Sequence, residues 1–249
     1  MGSWDGQIAV VTGAGGSIGE AIVEHLRALG AVVVGGDLGD VASGEIRSLD
    51  VTEPSSIEAW LAGVEARFGC PTIGVICAGI SRPGRLVDTS DEDWNAVVEV
   101  NLTGAFYTAR AIIRRMLASN VRGRIVFIGS WAAHSPHPHI GAYSASKAGL
   151  RALCQTLALD HASDGILINE VAPGIVDAGL SRALFRRDPA LEHRTRASIP
   201  TGTVLQPADV ARDVAFLVSP DNLHTTGAVI VSDGGLSLAS TMNPGIAAP

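Results

Sequence analysis

A chain of 249 residues, 47% hydrophobic and 17% charged, has the make-up of a soluble globular protein with room for an ordinary core. Its formal net charge of -7 argues against nucleic-acid and anionic-membrane partners, which call for a basic face, and points to a small molecule. No stretch approaches the ~20 apolar residues of a membrane span, and no basic region followed by an apolar run opens the chain, so a cytoplasmic protein is expected.

Ile8 to Val11 is a short apolar run, Thr12 to Gly19 is glycine-rich, and Ile18, Ile22, Leu26 and Leu29 recur at helical spacing up to Gly30. Strand, tight turn and helix follow one another, and Ala31 to Val34 begins a second strand that ends in Gly35-Gly36-Asp37. The alternation continues with a strand over Ile46 to Val51, a helix over Ser55 to Phe68 and a strand over Ile73 to Cys77. Asp91 to about Asn120 reads as one broken or two abutting helices. Beyond it come a strand from Arg124 to Ile128, a helix from Tyr143 to His161 and a strand from Leu167 to Val171. Val176 to about Ala197 is helical and arginine-rich, Pro207 to Leu217 is a helix, and Ala228 to Val231 is the seventh strand. The strands are apolar on both faces, as in a parallel sheet covered by helices on each side, so an α/β fold with one doubly wound domain is expected. Ser240 to Pro249 reads as a loose tail. Cys70, Cys77 and Cys154 are odd in number and lack C-x-x-C spacing, which speaks for buried apolar roles over a disulfide or a zinc site.

The turn Thr12-Gly13-Ala14-Gly15-Gly16-Ser17-Ile18-Gly19 joins a strand to a helix, where glycines admit a close backbone approach and the helix N-terminus favours a pyrophosphate. Asp37 follows Gly19 by about the 20 residues expected of a carboxylate that takes ribose hydroxyls. It would repel a 2'-phosphate, and no Lys or Arg stands between Gly35 and Gly44 to offset it, so NAD is favoured over NADP. Asp50-Val51 and Cys77-Ala78-Gly79 follow the third and fourth strands, at the carboxyl ends where open parallel sheets hold ligands.

Lys147 is the only lysine among 18 basic residues, and Tyr143 is one of two tyrosines. At i, i+4 they share a helix face, and an ammonium near a phenol lowers its pKa toward that of a usable base. Ser130, at the end of the fifth strand, can hold a substrate oxygen. These residues resemble the short-chain dehydrogenase/reductase family over nearly the whole chain. Tyr143 to Lys147 matches its Tyr-x-x-x-Lys motif, Ser130 its serine, and Asn101 in Asn101-Leu102-Thr103-Gly104 its asparagine. Pro173-Gly174, Thr226-Gly227 and Asp233-Gly234-Gly235 match its later motifs.

The resemblance implies a Rossmann-like fold in which Tyr143 exchanges a proton with the substrate, Ser130 positions the substrate oxygen and Lys147 binds the nicotinamide ribose. Asn101 would hold a water that carries the proton outward. Gly13, Ser17, Ile18, Gly19, Asp37, Asp50, Val51, Ala78, Gly79, Pro173 and Val176, with Tyr143 and Lys147, would line the cofactor. Ser17 stands at the family's middle glycine, where it can cap the helix or donate to phosphate. Cys77 replaces an asparagine that braces the sheet, and Ala178 a threonine that contacts the nicotinamide, with Ser181 a nearby substitute. His134, His137 and His139 fall in the loop that the resemblance sets beside the substrate. With no carboxylate or cysteine in that loop they read as surface residues or as a polar pocket wall, and no metal site is expected. Arg182, Arg186, Arg187, Arg194 and Arg196 lie in the segment that forms the family's lid, as a solvated face or as an attraction for anionic substrates.

Three functions compete: an NAD-dependent dehydrogenase of secondary alcohols, polyols or sugars; an NADPH-dependent 3-ketoacyl or polyketide ketoreductase; and a catalytically silent nucleotide-binding regulator. Asp37 favours the first over the second, and Ser130, Tyr143 and Lys147 together speak against the third. The resemblance also implies a homotetramer paired through Thr103 to Ala118 and Tyr143 to Ala162.

Overall fold

Seven apolar runs pair side by side in the computed structural model, which describes residues 3–39 and 46–239. They are β1 (Ile8–Thr12), β2 (Val32–Asp37), β3 (Ile46–Ser48), β4 (Ile73–Ile76), β5 (Arg124–Ile128), β6 (Leu167–Pro173) and β7 (Val229–Ser232). All pairs are parallel, in the order β3-β2-β1-β4-β5-β6-β7. The order reverses between β1 and β4, so the crevice for a ligand opens where those strands end.

Alternate residues of each strand feed two cores. Val10, Ile125 and Phe127 pack with α2 (Pro54–Phe68), α4 (Ala105–Ala118) and α5 (Gly141–His161). Ala9, Val11, Val126 and Ile128 pack on the other side with α1 (Ser17–Ala28) and α8 (Pro207–Val218). Ile112, Phe127 and Leu150 are wholly buried, and each side chain of that size stabilises the fold by roughly 1.5–3 kcal/mol.

The long helical stretch expected over 91–120 resolves into α3 (Asp91–Val98), a π-helical turn (Glu99–Gly104) and α4. Ser90 caps α3 by accepting from Asp93 N. The π turn brings Gly104 against the loop after β3, where a Cβ would sit 2.9 Å from the Val51 carbonyl.

β2 ends in Gly35-Gly36-Asp37 as expected, with Leu49 and Trp60 filling the space that a side chain on Gly36 would need. Other boundaries differ from expectation for local reasons. β3 stops at Ser48, and Val51 lies in the following turn, buried. Val176 is not helical: it bridges Leu205, and the arginine-rich segment forms α6 (Gly179–Arg187) and α7 (Pro189–Ser198). Asp188 breaks the two apart and caps α7 through Leu191 N at 3.0 Å. α9 (Leu236–Ala239) follows β7. Cys154 is fully buried and Cys77 packs on the α1 and α8 core, where burial pushes its thiol up to about 12, whereas Cys70 is only half-buried, short of the expected role. No helix among the described residues is long and apolar enough to cross a membrane. The tail expected at Ser240 to Pro249 lies outside the described residues.

Candidate active site

The cofactor turn is built by exclusion of side chains. Gly13 has φ of 68°, and a Cβ there would stand 2.8 Å from Ala78 Cα, so β1 and β4 close up behind the turn. A Cβ on Gly19 would run into the Gly13 carbonyl. Gly16, not Ser17, is the N-cap of α1 and offers no side-chain bond to the helix amides. Ser17 occupies the first helical position, half-buried, and Ile18 packs on the core beside it. The result is a glycine-lined cradle at a helix N-terminus, which fits the pyrophosphate of a dinucleotide.

The carboxylate of Asp37 reaches across the cradle: Gly15 N donates to Oδ2 at 2.6 Å and Leu38 N to Oδ1 at 2.7 Å. The brace expected from an asparagine at Cys77 is supplied by Thr12, whose Oγ1 accepts from Cys77 N at 3.0 Å and Ala78 N at 3.1 Å. Asp50 turns inward on its own loop, accepting from Thr52 N and Thr52 Oγ1 at 2.9 and 2.7 Å. Pro173 ends β6 opposite Ser232, and Val176 is buried against the α1 and α8 layer.

On α5 the buried Lys147 ammonium donates to the Ile128 carbonyl at 2.7 Å and lies 5.7 Å from the centre of the Tyr143 ring. Burial lowers the Lys147 pKa to about 8, opposed by Cys77 and Glu170. The Tyr143 pKa is raised by burial, while a hydrogen bond with Ser130 works to lower it. The expectation that Lys147 pulls this phenol down is therefore corrected: desolvation dominates, and the lysine's bond goes to the backbone of β5. Ser130 is buried, and its Oγ also accepts from Ala132 N at 3.2 Å.

Asn101 sits in the π turn with its amide fully engaged. Nδ2 donates to Ile80 O and Ser146 Oγ at 2.9 and 3.0 Å, and Oδ1 accepts from Ile80 N at 2.8 Å. Ser146 passes the contact on to Tyr143 O at 2.7 Å. The amide thus ties the turn after β4 to the first turn of α5, and the water expected beside Asn101 receives no donor from Nδ2. Gly79 leaves the space between these groups open: a Cβ there would be 3.3 Å from Asn101 Oδ1 and 3.6 Å from Lys147 Nζ. Thr12, Ile80, Ile128 and Ser146 are site residues that sequence reading missed, because each acts through a partner distant in the chain.

Among the substrate-side residues, His137 stacks on Trp131 with ring centres 3.8 Å apart. Its Nε2 is buried without a hydrogen-bond partner, and burial lowers its pKa. His139 is exposed at φ 68°, and it contributes its carbonyl to Gly84 N at 2.8 Å. Arg182 is paired with its own neighbour Asp177 at 3.2 Å, Arg194 with Asp188, and Arg196 with Glu192. Arg186 lines a recess of about 350 Å³ with Asp177, Arg182, Phe185 and Glu192. The lid charges are in the main self-neutralised, which fits the solvated face. No group of three or more potential metal ligands occurs among the described residues.

The family model described as Enoyl-(Acyl carrier protein) reductase matches residues 13–237. The 3-oxoacyl-[acyl-carrier-protein] reductase FabG of Escherichia coli is 36% identical over 244 residues, covering 94% of this chain and 98% of the relative. The crystal structure of gox2181 superposes with a TM-score of 0.87 at 33% identity, covering 93% of this chain and 96% of that one. A variant of the actinorhodin polyketide ketoreductase with NADPH gives 0.88 at 32% identity, covering 95% and 99%. With its glycine-lined cradle, its serine, tyrosine and lysine at the crevice, and these relatives along its length, the chain belongs to the short-chain dehydrogenase/reductase family of oxidoreductases.

Proposed function

We propose that the protein reduces the ketone of 3-oxoacyl or polyketide-type substrates, using NADH. The observation that carries the chemistry is the pairing of Tyr143 with the buried Ser130 at the end of β5, beside Lys147. A phenol so placed gives its proton to a carbonyl oxygen in reduction and takes one from an alcohol in oxidation, and the reductive direction is drawn from the names of the relatives. A nicotinamide, when bound, supplies the hydride. Tyr143 delivers its hydroxyl proton to the ketone oxygen, and Ser130 Oγ holds that oxygen in line. Lys147, fixed on Ile128, would hold the ribose of a bound cofactor; Asn101 keeps the turn after β4 and the start of α5 in register.

The acyl substrate class draws its support from the names of the relatives, which moves the weight away from the polyol or sugar expected first. The preference for NADH draws on Asp37, whose carboxylate lies against the turn where a 2'-phosphate would bring like charge. Initial rates on 3-oxoacyl thioesters, simple ketones, polyols and sugars, each with NADH and NADPH, test both parts. The expected outcome is reduction of the 3-oxoacyl compounds with kcat/KM favouring NADH by about tenfold or more, worth about 1.4 kcal/mol. Activity confined to polyols sinks the acyl part, and equal use of NADPH sinks the NADH part. Tyr143→Phe is expected to bind NADH as the native protein does and to lose roughly 10²–10⁴ of kcat.

Self-association as a tetramer is part of the same reading. It draws on two separate exposed apolar faces, one carrying Leu117 and Leu159 on α4 and α5, the other Phe216 and Val231 on α8 and β7.

A further inference from the structure

Tyr143 and Lys147 are followed at the next i+4 position of α5 by Arg151, so three residues descend one face of the helix toward the sheet. Arg151 meets Glu170, which stands in β6 and is wholly buried. The pair is bidentate: Nε to Oε2 at 3.0 Å and Nη2 to Oε1 at 2.9 Å. The same guanidinium reaches two acceptors in the segment that carries Ser130. Nη1 meets His134 Nδ1 at 3.1 Å and Nη2 the Ser130 carbonyl at 3.4 Å. Arginine does not give up its proton, so His134 Nδ1 must be the acceptor in that bond. Room for the carboxylate comes from Gly129, since a Cβ there would overlap Glu170. The glycine before Ser130, the buried acid and the arginine below them form one arrangement.

A wholly buried carboxylate is costly even when paired, and an apolar pair of similar volume would serve the core as well or better. We propose that Arg151, anchored by Glu170, is a positioning residue that fixes the Ser130 to His134 segment for proton delivery. The inference rests on Ser130 acting as proposed above. Glu170 also opposes the fall of the Lys147 pKa, so the same pair bears on both ends of the catalytic face.

The test uses the full chain with two variants, Arg151→Met/Glu170→Met, which removes the pair together, and Arg151→Lys, which keeps the charge but cannot serve all three acceptors. Hydrogen exchange followed by mass spectrometry reads the amides of Ala133, His134 and Ser135, which are bonded back to Ser130 and Trp131. Exchange is expected to quicken in this segment and stay near native in the rest of β5 and β6. On a reducible ketone, kcat should fall roughly 10- to 100-fold with little change in NADH affinity, and the deuterium isotope effect from labelled NADH should rise. If the double variant does not fold, Arg151→Lys decides by the same readouts. Native exchange in the segment, or a uniform rise through α5 and β6, overturns the proposal, as does undiminished kcat. A native protein that reduces no ketone overturns the proposed reaction, while the exchange result still decides whether Arg151 fixes the segment.

Discussion

At the scale of single residues, the lone lysine carries the clearest energetic signature. Lys147 is buried with one backbone acceptor, Ile128 O, and its pKa is lowered from 10.5 to about 8. Arginine has a bulky planar fork that holds its charge at any working pH, whereas a single ammonium fits this space and can shift. The shift is a stability statement. Between about pH 8 and 10.5 the unfolded chain holds the Lys147 proton and the folded chain does not, so folded stability rises with pH across that window. Below it, burying the charge costs on the order of 3 kcal/mol. Lys147→Met removes this linkage. Denaturant unfolding of both proteins from pH 7 to 10 should therefore show the native protein gaining on the variant as pH rises above about 8. A constant difference would mean that the ammonium is not penalised by the fold. The same residue-scale chemistry bears on how each direction of reaction depends on pH. Because the Tyr143 pKa is raised, alcohol oxidation, which needs the phenolate, should rise steeply with pH, while ketone reduction holds level around neutrality.

At the scale of elements, the joint between β1 and α1 limits the cofactor end. Gly19 is in the first turn of α1, and any Cβ there meets the Gly13 carbonyl, part of the backbone, which cannot move aside cheaply. Gly19→Ala is expected to lower the melting temperature and weaken NADH binding at least tenfold, measured by quenching of protein fluorescence on titration. Unaltered affinity would show that the turn yields without disturbing the cradle. This joint was plain in the sequence because four of its glycines fall within seven residues and local sterics decide the conformation. The strand positions were legible for the same kind of reason: apolar runs buried on both faces can only lie inside a covered sheet. Other elements were opaque. The π turn at Glu99–Gly104 shows no periodicity of its own, and only its bond to Ile80 explains why Asn101 is there. The Arg151–Glu170 pair joins two elements across the sheet, and no local pattern announces it. The pKa of Tyr143 was misread because spacing gives the proximity of a charge and says nothing of the desolvation around it.

For the whole molecule, the distribution of exposed apolar side chains argues for assembly. Leu159 on α5 is 82% exposed and Phe216 on α8 is 67% exposed, and they lie on helices from opposite layers of the sheet. β7 is a sheet edge whose Val231 is open to solvent, a liability for a lone chain and an asset for one that pairs there. Two independent faces, each closing on its own copy about a two-fold axis, generate a tetramer with D₂ symmetry. One face alone would stop at a dimer. Light scattering on the purified chain should therefore report four copies of 25.6 kDa. Leu159→Glu should remove the α4 and α5 pairing and leave dimers held through α8 and β7, and Phe216→Glu should leave dimers of the other kind. The double substitution should give monomers that still bind NADH, since neither residue is part of the Gly13 to Gly19 turn. A native monomer, or a tetramer indifferent to both substitutions, would place the apolar faces outside any interface.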